Sequence, residues 1–169
     1  MVAGLGFPEE PEPVGGHVDD RGIRVCGQDS PGLGLQTAPD SRFRGCTVCR
    51  LTGRRLADCR IVLNGPGAAG TAIIHMLQVA GAKNIVAVDE HGILYPNRPA
   101  GLEGHKGRLA EETNPDKLTG GLAEAIRDAD IFIGTSIAGA LTPELAATMA
   151  KDAIVFAMAN PTPEIMPDL

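Results

Sequence analysis

Gly65-Pro66-Gly67-Ala68-Ala69-Gly70 matches the pattern G-x-G-x-x-G, with a short apolar run before it and a helical run after it. Each glycine has its own physical task. Gly65 allows a tight turn, Gly67 lets the backbone approach a pyrophosphate, and Gly70 lets the helix pack closely on its strand. The helix that follows opens with amides that lack partners and with the positive end of its dipole, so an anion is favoured there, and Ala68 and Ala69 belong to that phosphate loop. Asp89 stands 19 residues beyond Gly70, at the end of a second β-branched run. A carboxylate about 20 residues on is the usual partner of the adenosine ribose 2′-hydroxyl; the alternative is an ordinary turn residue at a strand end. Glu90 adds a second negative charge, and no Arg or Lys follows closely to compensate. A 2′-phosphate would be repelled, so this reading favours NAD over NADP.

Two later loops offer polar groups at the same edge. Gly134-Thr135-Ser136-Ile137-Ala138-Gly139 is a small-residue stretch following a third strand. Ligands of open α/β sheets bind outside the carboxyl ends of the strands, which would set Ser136 and Ile137 beside the nicotinamide; the alternative is a plain turn. Asn160 follows a fourth strand and can offer an amide donor and a carbonyl acceptor to a ligand, or simply cap a turn before Pro161.

The elements that must hold these residues follow from the apolar pattern. Arg60–Asn64 reads as a buried parallel strand. Residues 67–80 read as a helix with Ile73, Leu77 and Ala80 on one face, stopped by Gly81. Ile85–Val88 is a second strand, followed by a long loop, "HGILYPNRPAGLEGHKG". Leu122–Asp128 reads as a helix and Asp130–Ile133 as a strand. Thr142-Pro143-Glu144 opens a further helix, with Thr as cap, Pro in the first turn and Glu at the positive dipole end. Ala153–Met158 is the fourth strand. Alternating strands and helices imply a Rossmann-type, doubly wound α/β fold with a parallel sheet. Four strands would be an incomplete sheet, since such folds commonly have six, and the chain reads as cut at both ends.

The 169-residue length allows one domain with a real core. A net charge of −6 argues against nucleic-acid binding, which relies on Lys and Arg against phosphates. No apolar run reaches the roughly 20 residues that cross a bilayer, and "MVAGLGFPEEPEP" lacks the features of a secretory signal. A cytoplasmic protein is the expectation. The averages hide a break: all four cysteines and eight of the eleven arginines precede residue 61, whereas the first lysine is Lys83. Residues 1–50 show no sustained periodicity and are expected to form an irregular or disordered segment. An Arg-, Gly-, Pro- and Cys-rich, Lys-free stretch is also what a GC-rich gene yields when read in another frame. Residues 51–169 form the folded domain in this reading. Cys46-x-x-Cys49 with Cys26 and Cys59 lacks a second pair at metal-ligand spacing, so free thiols are expected rather than zinc. His75, His91 and His105 stand in no recognisable catalytic pairing.

"IVLNGPGAAGTAI", "IVAVDEHGILYPNR", "DADIFIGTSIAGALTPE" and "IVFAMANPTPEIMPDL", taken together and in order, resemble the cofactor-binding domain of bacterial malic enzymes over residues 51–169. The resemblance implies oxidative decarboxylation of malate to pyruvate and CO2 with reduction of NAD or NADP, dependence on Mg²⁺ or Mn²⁺, and a homo-oligomer. In that chemistry a hydride leaves C2 of malate while a base takes the hydroxyl proton. The metal polarises the ketone so that CO2 departs, and an acid protonates the enol. Position by position, Gly65, Gly67, Ala68, Ala69 and Gly70 match the phosphate loop and Asp89 the ribose position. Ser136 and Ile137 match the nicotinamide-side loop, and Asn160 the asparagine that contacts substrate and nicotinamide. The family's Tyr, Lys and metal-binding Glu and Asp lie upstream of the glycine loop and are not matched. Asp19-Asp20 lacks the family's following Gly-Thr-Ala and precedes Gly65 by 45 residues, and Tyr95, the single tyrosine, lies downstream. The chain is therefore expected to hold a cofactor without turning over malate by itself, the alternative being a non-catalytic NAD-binding module.

Overall fold

The computed structural model describes residues 54–166, together with the backbone of two short strands, β1 (His17–Val18) and β2 (Arg24–Cys26). After a 3₁₀ turn at Leu56–Asp58 the elements run β3 (Arg60–Asn64), α1 (Ala68–Val79), β4 (Asn84–Asp89), β5 (Gly92–Ile93), α2 (His105–Glu112), α3 (Leu122–Ile126), β6 (Ile131–Gly134), α4 (Pro143–Ala146) and β7 (Ile154–Ala157). They form one sheet in the order β1-β2-β7-β6-β3-β4-β5. The five strands from β2 to β4 are parallel, and antiparallel β1 and β5 close the two edges.

The four strands expected from the sequence are present, shifted by a residue at some ends. Three more join them. β5 lies inside the stretch read as loop, where two residues are too few to give a periodic signal. β1 and β2 come from the first fifty residues, and β2 pairs with β7 through Arg24↔Ile154, Val25↔Val155 and Cys26↔Phe156. Helix α2 also starts in the stretch read as loop: "HKGRLAEE" carries a single strongly apolar residue, Leu109, so no amphipathic stripe announces it.

Strand alternation builds two cores. Ile61, Leu63, Ile85, Ala87, Ile131 and Ile133 face α1 and α2, where they meet Ile74 and Leu109. Val62, Val86, Val88, Phe132 and Val155 point the other way, against Ala125, Ile126, Leu141 and Ala146 of the α3–α4 side. Successive side chains of a strand leave opposite faces of the sheet, so an unbroken apolar run such as "IVL" feeds both layers. Helix α1 ends as its sequence implies. Gly81 has φ +98°, its amide donates to the Gln78 carbonyl at 3.0 Å, and that of Ala82 donates to Leu77 at 2.9 Å, a Schellman closure that only glycine adopts cheaply. Thr142 caps α4, its Oγ accepting from the Leu145 amide at 3.3 Å.

The chain passes from β3 to its neighbour β4, then returns across to β6 on the other side of β3. The reversal opens a crevice between the exits of β3 and β6. The pairings Asn64↔Val88, Asn64↔Gly134 and Gly134↔Ala157 bring four strand exits to one level.

Candidate cofactor site

The glycine loop leaves β3 at that crevice. Gly65 has φ +97°, and a Cβ there would stand 2.8 Å from the Thr135 carbonyl oxygen. At Gly70 a Cβ would run into the Gly65 carbonyl oxygen and lie 3.0 Å from a Leu63 methyl. These two glycines are required by the protein's own packing. Gly67 differs, because a Cβ there would meet nothing within 4 Å. It caps α1 without a side chain, and Ala68 and Ala69 behind it are exposed. The first turn of α1 therefore presents its amides to open space, which is the shape and polarity that a pyrophosphate requires. The loop is braced from outside by Pro66, whose carbonyl lies 2.8 Å from His105 Nε2 and accepts from Thr71 Oγ1 at 3.4 Å.

Asp89 lies at the β4 exit, but its carboxylate is not open. Its side chain is 1% exposed. Arg98 binds it through two parallel 2.8 Å bonds, Nη1 to Oδ1 and Nη2 to Oδ2. Lys106 Nζ adds a third bond at 2.8 Å, and the His91 amide a fourth at 2.9 Å. Burial pushes the carboxyl up, but the bonds from Arg98, Lys106 and the His91 amide outweigh it and hold it down at about 2. The same contact raises the Lys106 ammonium. The expectation that no cation compensates Asp89 and Glu90 is thus corrected. Arg98 and Lys106, 9 and 17 residues along the chain, return to Asp89 because the intervening loop folds around Arg98, which also donates to the carbonyls of Gly92, Ala100 and Gly101. Lys106 reaches Glu90 as well, at 3.2 Å.

The opposite wall is made by the β6 and β7 exits. Ser136 is partly buried, and its Oγ accepts from Asn64 Nδ2 at 2.9 Å, tying this loop to the residue before Gly65. Ile137 is 73% exposed, a large apolar side chain beside the crevice. Asn160 is exposed, ahead of a cis bond to Pro161. Glu164, which the sequence did not single out, is fully buried. It spans both loops: Oε1 accepts from the Ser136 amide at 2.9 Å and Oε2 from the Ala159 amide at 3.0 Å.

Asp89, Glu90 and His91 bring possible ligand atoms within 4.8 Å of one another, yet both carboxylates are engaged by cations, so the cluster does not suit a metal ion. Asp19, Asp20, Cys46 and Cys49 lie outside the described residues. Cys59 is buried, its Sγ 3.3 Å from the Arg55 carbonyl. His75 and His91 stand at the surface near Glu112 and Glu90. Among the described residues no helix is long and apolar enough to cross a membrane.

The family model for the malic enzyme NAD-binding domain matches residues 45–166. This chain belongs to that family. A bifunctional malic/malolactic enzyme of Bacillus subtilis is 50% identical over 119 residues, 70% of this chain and 29% of its own. An NAD-dependent malic enzyme of Geobacillus stearothermophilus is 46% identical over 121 residues, 71% of this chain and 25% of its own. The crystal structure of the NAD-dependent malic enzyme of Thermotoga maritima superposes with a TM-score of 0.69 at 41% identity, covering 72% of this chain and 32% of its own. Other matching relatives are named NADP-dependent malic enzymes. The chain thus spans between a quarter and a third of the length of the first two relatives.

In this malic enzyme NAD-binding domain the central strands β4-β3-β6-β7 follow the dinucleotide-fold order, with the glycine loop at the reversal point. Gly65, Gly67, Ala68, Ala69 and Gly70 form one cradle, and Ser136 is hydrogen-bonded to its base through Asn64. Ile137 and Asn160 follow the β6 and β7 exits, which pair side by side. Asn64, Arg98, Lys106 and Glu164 are residues sequence reasoning missed. A polar residue ending an apolar strand was the available signal for Asn64; Glu164 had none.

Proposed function

We propose that this chain is the cofactor-holding part of a malic enzyme and that it binds NAD in the crevice between β3 and β6. The observation that carries the reading is the open first turn of α1, where Gly67, Ala68 and Ala69 leave room and amide donors for a pyrophosphate. Gly65 and Gly70 shape the cradle beneath it. Ser136 and Ile137 border the nicotinamide, and Asn160 offers its amide to nicotinamide and substrate. Bound there, NAD would supply the hydride acceptor for a 2-hydroxy acid. The chain's own contribution is to hold the dinucleotide, orient its nicotinamide and cover one side of it.

Asp89 acts on the ribose end through its neighbours. Its oxygens are occupied, so it fixes Arg98 and Lys106, and Lys106 with Glu90 forms the edge the adenosine ribose meets. Glu90 disfavours a 2′-phosphate, which supports NAD as the preferred cofactor, while Lys106 reduces the margin over NADP.

In the whole protein the reaction is oxidative decarboxylation of malate to pyruvate and CO2 with Mg²⁺ or Mn²⁺, in a cytoplasmic homo-oligomer. Residues 51–169 carry the cofactor site in this reading, and β1 and β2 from the first fifty residues extend the same sheet beside β7. The family's upstream Tyr, Lys and metal-binding acids are unmatched in this sequence, which supports a chain that holds the cofactor without turning malate over. The test is calorimetric titration of the full chain with NAD and NADP, alongside NADH absorbance with malate and Mn²⁺. NAD binding without turnover is expected. Absence of NAD binding sinks the proposal, and turnover would mean that the chain carries a base and metal ligands of its own.

A further inference from the structure

We infer that Glu164 is the positioning residue for the nicotinamide wall: a fully buried carboxylate that sets the spacing of the two loops carrying Ser136, Ile137 and Asn160. This rests on the NAD-binding reading above. The two loops leave neighbouring strands, and their backbone groups would otherwise end beyond the last ladder bond, that of the Met158 amide to the Gly134 carbonyl at 3.1 Å. One carboxylate receives an amide from each loop, Ser136 on Oε1 and Ala159 on Oε2. The residue's main chain adds a third tie, its carbonyl accepting from the Leu141 amide at 3.1 Å. Glu164 is 0% exposed, so water does not compete for either oxygen.

The space for that carboxylate exists because residue 134 is glycine. A Cβ there would overlap the carboxyl group, although neither its burial nor its place in β6 calls for a residue without a side chain. Gly134 ends β6 directly before the loop, and the Glu164 carboxyl packs onto its bare Cα. A residue whose role was only to fill the core would be apolar, since burying a carboxyl needs every oxygen satisfied. Two acceptors aimed at two amides of different loops are what a carboxylate supplies and an amide side chain does not. Glutamine has one acceptor, and its NH2 would face an N–H.

The consequence is directional. Ser136, Ile137 and Asn160 line the nicotinamide side, whereas the pyrophosphate and ribose are held by the glycine loop and the Asp89 cluster, which Glu164 does not touch. Loss of Glu164 therefore weakens recognition of the nicotinamide more than that of the ADP-ribose part, which meets the β6 loop only at its base, through the Asn64–Ser136 and Thr135–Gly65 bonds.

The experiment compares NAD with ADP-ribose by calorimetry on the full chain and on Glu164→Gln. For Glu164→Gln, NAD affinity is expected to fall by roughly tenfold, the size of one lost hydrogen bond to a charged group, towards the ADP-ribose value, with a clearly smaller loss for ADP-ribose. Equal losses for both ligands, or no loss for either, overturn the inference, since a merely structural residue moves both together. A wild-type chain that binds NAD no better than ADP-ribose also overturns it while leaving NAD binding itself standing; a chain that binds neither removes both. Should Glu164→Gln fail to fold, amide exchange in the ligand-free wild type decides. Protection of the Ser136 and Ala159 amides comparable to β6 is expected, and fast exchange at either overturns the inference.

Discussion

The two walls of the crevice are built on different principles. The β3–α1–β4 wall lies in one run of 26 residues from Asn64 to Asp89, and its chemistry is mostly backbone: a positive φ at Gly65, an open cap at Gly67, a close approach at Gly70. The β6–β7 wall is assembled from residues far apart. Ser136 is bonded to Asn64, 72 positions away, and to Glu164, 28 positions away. A wall made of local backbone conformation is written in glycine spacing. A wall made of buried side-chain bonds exists only once the sheet has brought its strands together.

The largest effect is expected at the far end of the first wall, where a buried carboxylate depends on two cationic side chains from further along the chain. Asp89→Ala leaves the Arg98 side chain, 4% exposed, buried without its carboxylate, and chemical unfolding should record a loss of about 3–5 kcal/mol. A loss below about 1 kcal/mol would mean that the pair is not closed in solution. Next come the glycines, which separate packing from ligand binding. Gly65→Ala forces a Cβ against the Thr135 carbonyl at φ +97° and should cost about 2–3 kcal/mol together with NAD binding. Gly67→Ala should leave stability within about 0.5 kcal/mol yet weaken NAD by more than about tenfold through crowding of the phosphate. Equal stability losses in the two variants would erase the distinction.

Acid probes the same cluster. The Asp89 carboxyl lies at about 2 in the folded chain against an ordinary 3.8, so its stabilisation is complete above the ordinary value and is lost as pH falls through the folded one. Urea midpoints measured from about pH 6 down to about pH 2 should reveal a decline of about 2 kcal/mol from this group. The decline should be absent from Asp89→Asn; parallel curves for the two proteins would sink the assignment. The smallest effect belongs to the second wall. Ser136→Ala leaves the Asn64 amide, in a residue 8% exposed, short of an acceptor and should cost about 1 kcal/mol, readable as a fall in thermal midpoint. An unchanged midpoint would mean that the tie between the walls carries no load.

Much of the fold was legible, and the reason can be traced through particular residues. "RIVLN" and "NIVAVD" are apolar on both faces because both faces of the sheet are covered, and the turn after each is marked by glycine or acid. The α1 stop at Gly81 and the Thr142 cap are local hydrogen-bonding devices. What stayed hidden was short or non-periodic: β5 with two residues, α2 with one strongly apolar side chain, and β1 and β2 in a segment rich in glycine and proline. At the site, Asp89 was found by spacing but its partners were not. Arg98 sits in "YPNRPAG", where every neighbour signals a loop, and nothing local marks it as the residue around which that loop closes.

By itself the sequence determined the glycine cradle, the order of the main strands and helices, and the family, because each depends on residues close in the chain or on segments recurring in order. Tertiary structure alone decided that Asp89 meets the Arg98 guanidinium, that Glu164 ties the β6 and β7 loops together, and which glycines the packing itself requires. The physical reason is common to all three. A charge or hydrogen bond is defined by its partner and its exposure, and both are set only when β3, β4, β6 and β7 lie side by side.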